Sequence, residues 1–295
     1  MHKYLRAIGF SKFRSRREVE NLLLLAERNA DKVSSVKISD GECCRQSYTA
    51  LGNKISISSC GIVDENNDYY REFYFPYVKP EQVSTQVDCE IQRHSDKESY
   101  SGMCEEYKLG VSLIFYLQNG IEYLERKTDV NKSERVKSVM LSGLSVSGEI
   151  ILPVKKTVKQ AEKLKIDSIK RSMLYEAARQ GSETAIETLT MEDMDMFSKI
   201  NERIADEDIY SIVDTSFLPY GVECDHYSIV GEIIDMETDV NKITGEEVYV
   251  FTLECNTLVF QLCINKEDLL GEPKTGRRFK GIIWMQGTAD FGGDA

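Results

Sequence analysis

Cys224, Asp225 and His226 are consecutive residues whose side-chain types serve elsewhere as nucleophiles, acids, bases and metal ligands. A Cys–His or Ser–His–Asp arrangement needs a histidine near a nucleophile in space, and the other two histidines are His2 and His94. Alternate residues of an extended segment share a face, so Cys224 and His226 are the candidates for a metal pair. The chain has no CxxC pair, and we predict no metal site and no catalytic residues.

The segment from Gly271 to Arg278 has the glycine spacing of a phosphate-binding loop. Arg277 and Arg278 occupy the positions of the required Lys and Ser or Thr, and a strand-like run follows where the motif needs a helix. We therefore predict no nucleotide loop and no cofactor. The cations of Lys274, Arg277 and Arg278, together with Trp284, instead predict a ligand-binding site at the mouth of a barrel. Core packing is the alternative for Trp284.

The elements around these residues are clearest from Tyr227 to Gln286, where strand-like runs alternate with turn residues. Val248 to Cys255 alternates with the period of two that a half-buried strand requires. Asn256-Thr257 favours a tight hairpin because Asn tolerates positive φ, and Asn265 to Gly271 is typical of one capped helical turn. This order predicts a small antiparallel barrel similar to an OB-fold, although a clear fifth strand is missing.

The first half of the chain predicts a mostly antiparallel sheet with one or two covering helices. Ser15 and Glu18 form a capping-box pattern that starts a helix from Arg16 to Arg28. This helix follows a basic segment, Met1 to Arg17, which is either a basic arm or part of a surface helix packed by one apolar face; we favour the packed helix. The predicted strands include Val33–Ile38, Ile55–Ser59, Tyr69–Phe75 and Leu109–Leu117.

Two turns in this half are less simple to interpret. Ser147-Gly148 predicts a hairpin between strands at Val136–Ser145 and Glu149–Val154. Within Val111–Arg126, Asn119-Gly120 suits a type I′ hairpin, whereas the apolar spacing also fits a helix. Both alternatives remain open at this stage, with the helix slightly favoured.

A helical connector is expected from residue 155 to residue 220. Thr157 opens a helix with Ala161, Leu164, Ile169, Met173 and Ala177 predicted to face inward. Gly181 suits its C-terminal cap, and Ser182 and Thr190 each suit the start of a following helix. Ten acidic and two basic residues lie between positions 183 and 214, so this stretch carries −8 of the net charge of −12. We predict domains at 1–154 and 221–295 on either side of the connector.

The composition limits the classes of protein that remain. Net charge of −12 disfavours nucleic-acid binding by the whole molecule, since phosphate neutralisation supplies most of that affinity. The apolar runs are too short for a membrane span, and the N-terminus lacks a secretory signal pattern, so we expect a cytoplasmic protein. In that compartment the eight cysteines would stay reduced: Cys43, Cys44, Cys60, Cys89, Cys104, Cys224, Cys255 and Cys263.

Several short segments resemble an uncharacterised family of clostridial proteins of about this length. They are Leu5–Ser11, Ala177–Gly181, Met191–Met194, Pro219–Asp225, Gly271–Pro273 and Trp284–Gly287. The resemblance covers nearly the whole chain and implies a bacterial cytoplasmic protein. It supplies no activity and no catalytic residues.

The leading hypothesis is a non-enzymatic adaptor that binds an unknown protein partner through the C-terminal barrel and the acidic connector. One alternative is an enzyme with a site between the domains, near Cys224, Asp225 and His226. A second is weak binding of single-stranded nucleic acid by the barrel alone. The oligomeric state is left open.

Overall fold

The computed structural model describes residues 2–94, 97–106, 109, 111–154, 158–204 and 209–292. It confirms the predicted α+β class, with two sheets and helices on their surfaces. The first sheet is four-stranded and antiparallel, in the order β1 (Lys32–Ser39), β2 (Glu42–Ala50), β3 (Ile55–Val63), β4 (Tyr69–Val78). The strands of the second sheet are β5 (Cys89–Arg93), β6 (Tyr100–Glu106), β7 (Val111–Leu117), β8 (Ser138–Ile151), β9 (Ser216–Pro219), β10 (His226–Val240), β11 (Glu247–Cys255), β12 (Leu258–Asn265), β13 (Leu269–Leu270) and β14 (Arg278–Asp290).

The helices of the described chain lie outside the sheets. A short 3₁₀ segment comes first, Lys3–Ile8, and another follows β12 at Lys266–Asp268. The α-helices are α1 (Arg16–Arg28), α2 (Gly120–Thr128), α3 (Val158–Arg179), α4 (Glu183–Ile204) and α5 (Ile209–Ile212). No helix in these described ranges combines the length and the apolar character needed to span a bilayer.

The predicted small barrel is present, and it is closed. Its five strands are β8, β12, β11, β10 and β14, with β14 pairing back onto β8. The β8–β12 pair is parallel, and the other pairs of the barrel are antiparallel. The fifth strand that the C-terminal sequence lacked is β8, which comes before the helical connector. The barrel therefore joins chain segments on both sides of that connector.

The hairpin predicted at Ser147-Gly148 is wrong, because β8 runs without interruption from Ser138 to Ile151. Gly148 does not form a turn; it allows the ring of Phe279 to approach the backbone of β8 closely. A Cβ atom at this position would lie 2.3 Å from the ring of Phe279. The glycine thus lets β14 and its aromatic ring pack directly on β8.

The predicted end of a strand at Pro76 is also wrong, since β4 continues to Val78. This strand lies at the edge of its sheet and pairs only with β3, so the missing N–H of proline interrupts no ladder. The carbonyl oxygen of Pro76 accepts a hydrogen bond from Nε2 of Gln286 at 2.9 Å. This bond connects the edge of the first sheet to the barrel.

The segment from Val111 to Arg126 is a strand followed by a helix. β7 ends at Leu117, and α2 begins at Gly120. Asn119 does not form a hairpin turn because its side chain is bonded to Ala289 of β14, through Nδ2 to the carbonyl oxygen and through Oδ1 to the N–H. The structure therefore contains the helix, which the sequence slightly favoured over the hairpin.

Two hydrophobic cores lie on opposite sides of the barrel wall. Phe251, Phe260 and Phe279 belong to the core inside the barrel. Val248 and Trp284 belong to a second core on the outer surface. The same core contains residues of the Lys3–Ile8 segment, of the first sheet, and of the predicted helix α1 with its capping box. The basic N-terminal segment is therefore anchored by buried apolar residues.

The connector forms a helical hairpin with Gly181 at φ +86° between α3 and α4. A separate helix starting at Thr190 was predicted wrongly, because α4 is continuous and the Thr190 hydroxyl donates to the carbonyl oxygen of Ile186. Ile169 and Met173 were predicted to face inward, but they are 58% and 64% exposed. The capping residue Thr157 and the side chains of Ala161 and Leu164 lie outside the described part.

Candidate functional site

Arg278 is the most buried of the predicted ligand-binding residues, with 3% of its surface exposed. Its guanidinium donates to the carbonyl oxygen of Leu152 on one side and to those of Tyr210, Val213 and Asp214 on the other. These carbonyls lie before and after the helical hairpin. Arg278 therefore joins the two ends of the hairpin at the barrel, and its charge is directed at backbone carbonyl oxygens.

Lys274 and Arg277 stand apart from that contact, in the turn before β14. Both are near the carboxylate of Glu272, at 3.1 Å and 3.7 Å, and Arg277 also donates to the Glu272 carbonyl oxygen at 2.7 Å. Lys280, on β14, pairs with Glu149 of β8. Acidic neighbours thus offset the positive charge of this turn.

Trp284 lies in the outer core and is 5% exposed. Its ring stacks on Tyr4 with 5.3 Å between centroids, and its Nε1 donates to Oδ2 of Asp225 at 2.7 Å. Six residue positions along β14 separate it from Arg278, or about 20 Å in an extended strand. The structure therefore does not gather Lys274, Arg277, Arg278 and Trp284 into one site.

Asp225 and His226 do form a contact pair at the start of β10. Oδ1 of Asp225 lies 2.8 Å from Nδ1 of His226, while Oδ2 holds the indole of Trp284. The imidazole side chain is only 9% exposed, and its Nε2 lies 3.1 Å from Oε2 of Glu223. Cys224 is an exposed free thiol. Two of the three consecutive residues singled out by the sequence are thus brought together.

A groove of about 410 Å³ opens beside this pair. It is lined by segments that are distant in the sequence: the N-terminal segment, β8, the loop after β9, the start of β10, and β14. The lining residues are Lys3, Tyr4, Val146, Ser147, Tyr220, Gly221, Val222, Glu223, His226 and Ile282. Sequence reasoning missed all of these except His226, because no local motif links them.

The electrostatics near the groove are dominated by burial. Burial raises the pKa of the Tyr4 hydroxyl, and the charges of Glu223 and Asp225 act in the same direction. Burial also lowers the pKa of His2 to about 4, and the charge of nearby Lys3 adds to that effect. Both side chains are therefore neutral near pH 7.

The described residues give little support for a metal site or for a reactive thiol. Within residues 2–94, 97–106, 109, 111–154, 158–204 and 209–292, no cluster of three or more His, Cys, Asp or Glu side chains is placed to hold a metal ion. The eight cysteines are free thiols. Burial raises the pKa of Cys60 and Cys263 well above the ordinary value, which makes these two thiols unreactive.

The helical hairpin is a second candidate surface. Large apolar side chains are exposed on both of its helices: Ile166, Ile169 and Met173 on α3, and Ile186, Met191 and Met194 on α4. Ala185 and Leu189 are buried, so one side of α4 is covered while these other residues remain open. An apolar surface rimmed by charged residues is typical of a binding site.

Comparison with known proteins identifies the family. A family model described as "Domain of unknown function, E. rectale Gene description (DUF3881)" matches residues 5–287, and the chain belongs to that family. This result confirms the resemblance to an uncharacterised family. No curated protein and no solved structure matches the chain significantly.

Proposed function

We propose that this chain is a bacterial cytoplasmic adaptor that binds another protein through its α3–α4 hairpin. The observation that carries the proposal is the set of exposed apolar side chains on both helices. Met191 is 71% exposed and Met194 is 66% exposed, each on the second helix. Methionine is common at surfaces that accept helical partners, because its flexible side chain adapts to different shapes.

The register of the hairpin places these residues at matching levels. Arg171 of α3 and Glu192 of α4 approach to 4.0 Å, and the two helices run in opposite directions from the turn at Gly181. Counting from this contact, Ile169 lies at the level of Met194. The exposed apolar residues are therefore distributed along the same part of both helices, where a partner helix can contact them together.

The charge of the hairpin favours a basic partner. Among its described side chains, six exposed residues are acidic: Asp167, Glu176, Glu183, Glu187, Glu192 and Asp195. One exposed basic residue, Lys170, opposes them. Methionines and acidic side chains together suit an amphipathic helix with one apolar face and one basic face. We therefore propose such a helix, from another protein, as the partner.

Arg278 supports this function by fixing the base of the hairpin to the barrel. A preorganised surface loses less conformational entropy on binding than a mobile one. The free thiols support the cytoplasmic part of the proposal, because that compartment keeps cysteines reduced.

The first experiment measures binding of a synthetic Leu/Lys amphipathic helical peptide by fluorescence anisotropy. A peptide of about 18 residues is long enough to form a helix on the surface. The triple variant Ile169→Gln/Met191→Gln/Met194→Gln removes exposed apolar groups without opening a core. We expect it to bind the peptide at least about tenfold more weakly, a change of about 1.4 kcal/mol.

Two controls make this experiment specific. Val130→Gln changes an apolar side chain that is even more exposed, at 99%, but lies far from the hairpin in sequence, and it should leave the affinity unchanged. A peptide with Glu in place of Lys should not bind. Equal binding of the peptide to the parent chain and the triple variant would contradict the proposal. So would self-association through the same residues without peptide binding, which would make this face a dimer interface.

The two alternative functions have less support. Binding of single-stranded nucleic acid needs exposed aromatic rings on a basic face, whereas Trp284 is buried and Lys274, Arg277 and Lys280 have acidic neighbours. An enzymatic site would draw on the Asp225–His226 pair, but Cys224 does not line the groove.

A further inference from the structure

The groove beside His226 has a distinct arrangement of hydrogen-bonding groups. Carboxylate oxygens of Asp225 only accept, so the bond at 2.8 Å makes Nδ1 of His226 a donor. In the neutral ring, Nε2 is then an acceptor. Its neighbour at 3.1 Å is Oε2 of Glu223, which is another acceptor, and the contact lacks the geometry of a hydrogen bond. With the ring in that form, two acceptors lie side by side at the edge of the groove.

A cation already lies at the edge of this pair. The ammonium of Lys3 is 4.0 Å from Oε2 of Glu223 and 4.9 Å from the centroid of the Tyr4 ring. The Tyr4 ring in turn lies 5.7 Å from the imidazole of His226. A carboxylate beside an aromatic face is a favourable environment for an ammonium group. The Lys3 side chain is 59% exposed, so it is easily displaced.

The rest of the groove is largely apolar. Val146 and Ile282 contribute aliphatic side chains, and Tyr220 and Val222 contribute exposed apolar surface from the loop after β9. Small-molecule sites commonly combine such walls with a few polar groups that fix the orientation of the ligand. Here the polar groups are the two acceptors described above.

We propose that this groove binds a ligand that carries a protonated amine or guanidinium on an apolar body. The cationic group donates to Glu223 and to Nε2 of His226 and lies against the Tyr4 ring. In the free chain, the ammonium of Lys3 occupies the approach to this position and competes with the ligand. This site is separate from the hairpin surface.

The indole N–H of Trp284 can report ligand binding in the groove. Trp284 is the only tryptophan, and its Nε1 donates to the same Asp225 that contacts His226. We would titrate the full chain with benzylamine at neutral pH and follow the indole N–H signal of Trp284 by NMR. Benzyl alcohol, which has a similar shape and no charge, serves as the control probe. A peptide with blocked termini and a single arginine is the second probe. It tests whether the groove takes the guanidinium of a peptide side chain or only a small free amine.

The variants test each element of the site. Glu223 is exposed, so Glu223→Gln should preserve the fold and weaken benzylamine binding about fivefold, while Lys3→Gln removes the competing cation and should strengthen it about threefold. Lys12→Gln is the matched control for Lys3 and should have no effect. Equal shifts with benzyl alcohol, or an unchanged affinity in Glu223→Gln, would overturn the proposal. The hairpin triple variant should bind benzylamine normally, so the two proposals can fail independently.

Discussion

At the end of β10, the carboxylate of Asp239 accepts hydrogen bonds from four backbone N–H groups. Two of them belong to Asn53 and Lys54 in the turn between β2 and β3, the third to Ile55 at the start of β3, and the fourth to Val240. Burial opposes ionisation of Asp239, but these bonds outweigh it and lower the pKa of the carboxyl group. This charged side chain thus joins the barrel to the first sheet, as the bond between Gln286 and Pro76 also does.

This contact predicts a pH-dependent loss of stability in Asp239→Asn. The amide cannot accept all four bonds, so the variant should lose about 2–3 kcal/mol of unfolding free energy at pH 7. Because the folded-state pKa is lowered, this stabilisation is present above the ordinary aspartate pKa of about 3.9 and is lost as the pH falls through the folded-state value. The two chains should therefore converge in stability in acid.

Urea denaturation of both chains at several pH values measures this difference. Asp40→Asn is the control, because the Asp40 side chain is fully exposed and pairs with Lys37 at the surface. A loss in Asp239→Asn that is the same at pH 7 and at pH 3 would show that the ionised carboxylate is not the source of the stability.

Among the elements, the helical hairpin is attached to the barrel through the buried side chain of Arg278 on β14. Arg278→Met would leave the carbonyl oxygens of Leu152, Tyr210, Val213 and Asp214 without these donors. We expect a loss of about 3 kcal/mol in unfolding free energy, because buried acceptors without partners are costly. Arg277→Met, one position earlier and bonded to the nearby Glu272, should cost less than about 1 kcal/mol.

Chemical denaturation compares the two variants, and hydrogen exchange localises the effect. Faster exchange in Arg278→Met should appear first at residues 209–214, next to the lost contacts. If Arg277→Met destabilises the chain as much as Arg278→Met, the attachment does not depend on the buried guanidinium.

Elements with local signals could be predicted from the sequence, and those that depend on distant partners could not. The hairpin at Asn256-Thr257 followed from residue type, and both residues have positive φ in the structure. Nothing near Gly148 revealed that the ring of Phe279 would pack on it. Arg278 looked like part of an exposed basic turn because the backbone carbonyls that surround it come from segments about 65 and 126 positions away. The groove around His226 was missed for the same reason.

On the scale of the whole molecule, the basic N-terminal segment packs against the barrel, whereas the acidic hairpin is exposed. The basic N-terminal segment is held against the barrel, where Arg6 pairs with Asp268 and Ser11 bonds Glu246. The acidic surface of the hairpin remains open to solvent. A chain with a net charge of −12 repels acidic partners and attracts basic ones, with an effect that weakens as salt is added.

The proposed adaptor function is tested most directly by hydrogen exchange of the full chain with and without the basic amphipathic peptide. Bound peptide should slow exchange along α3 and α4, around Ile169, Met191 and Met194, and should leave the barrel strands unchanged. Added salt should reduce this protection, since opposite charges contribute to binding. Protection confined to the groove around His226 or to the turn at Lys274, with none on the hairpin, would contradict the proposed function.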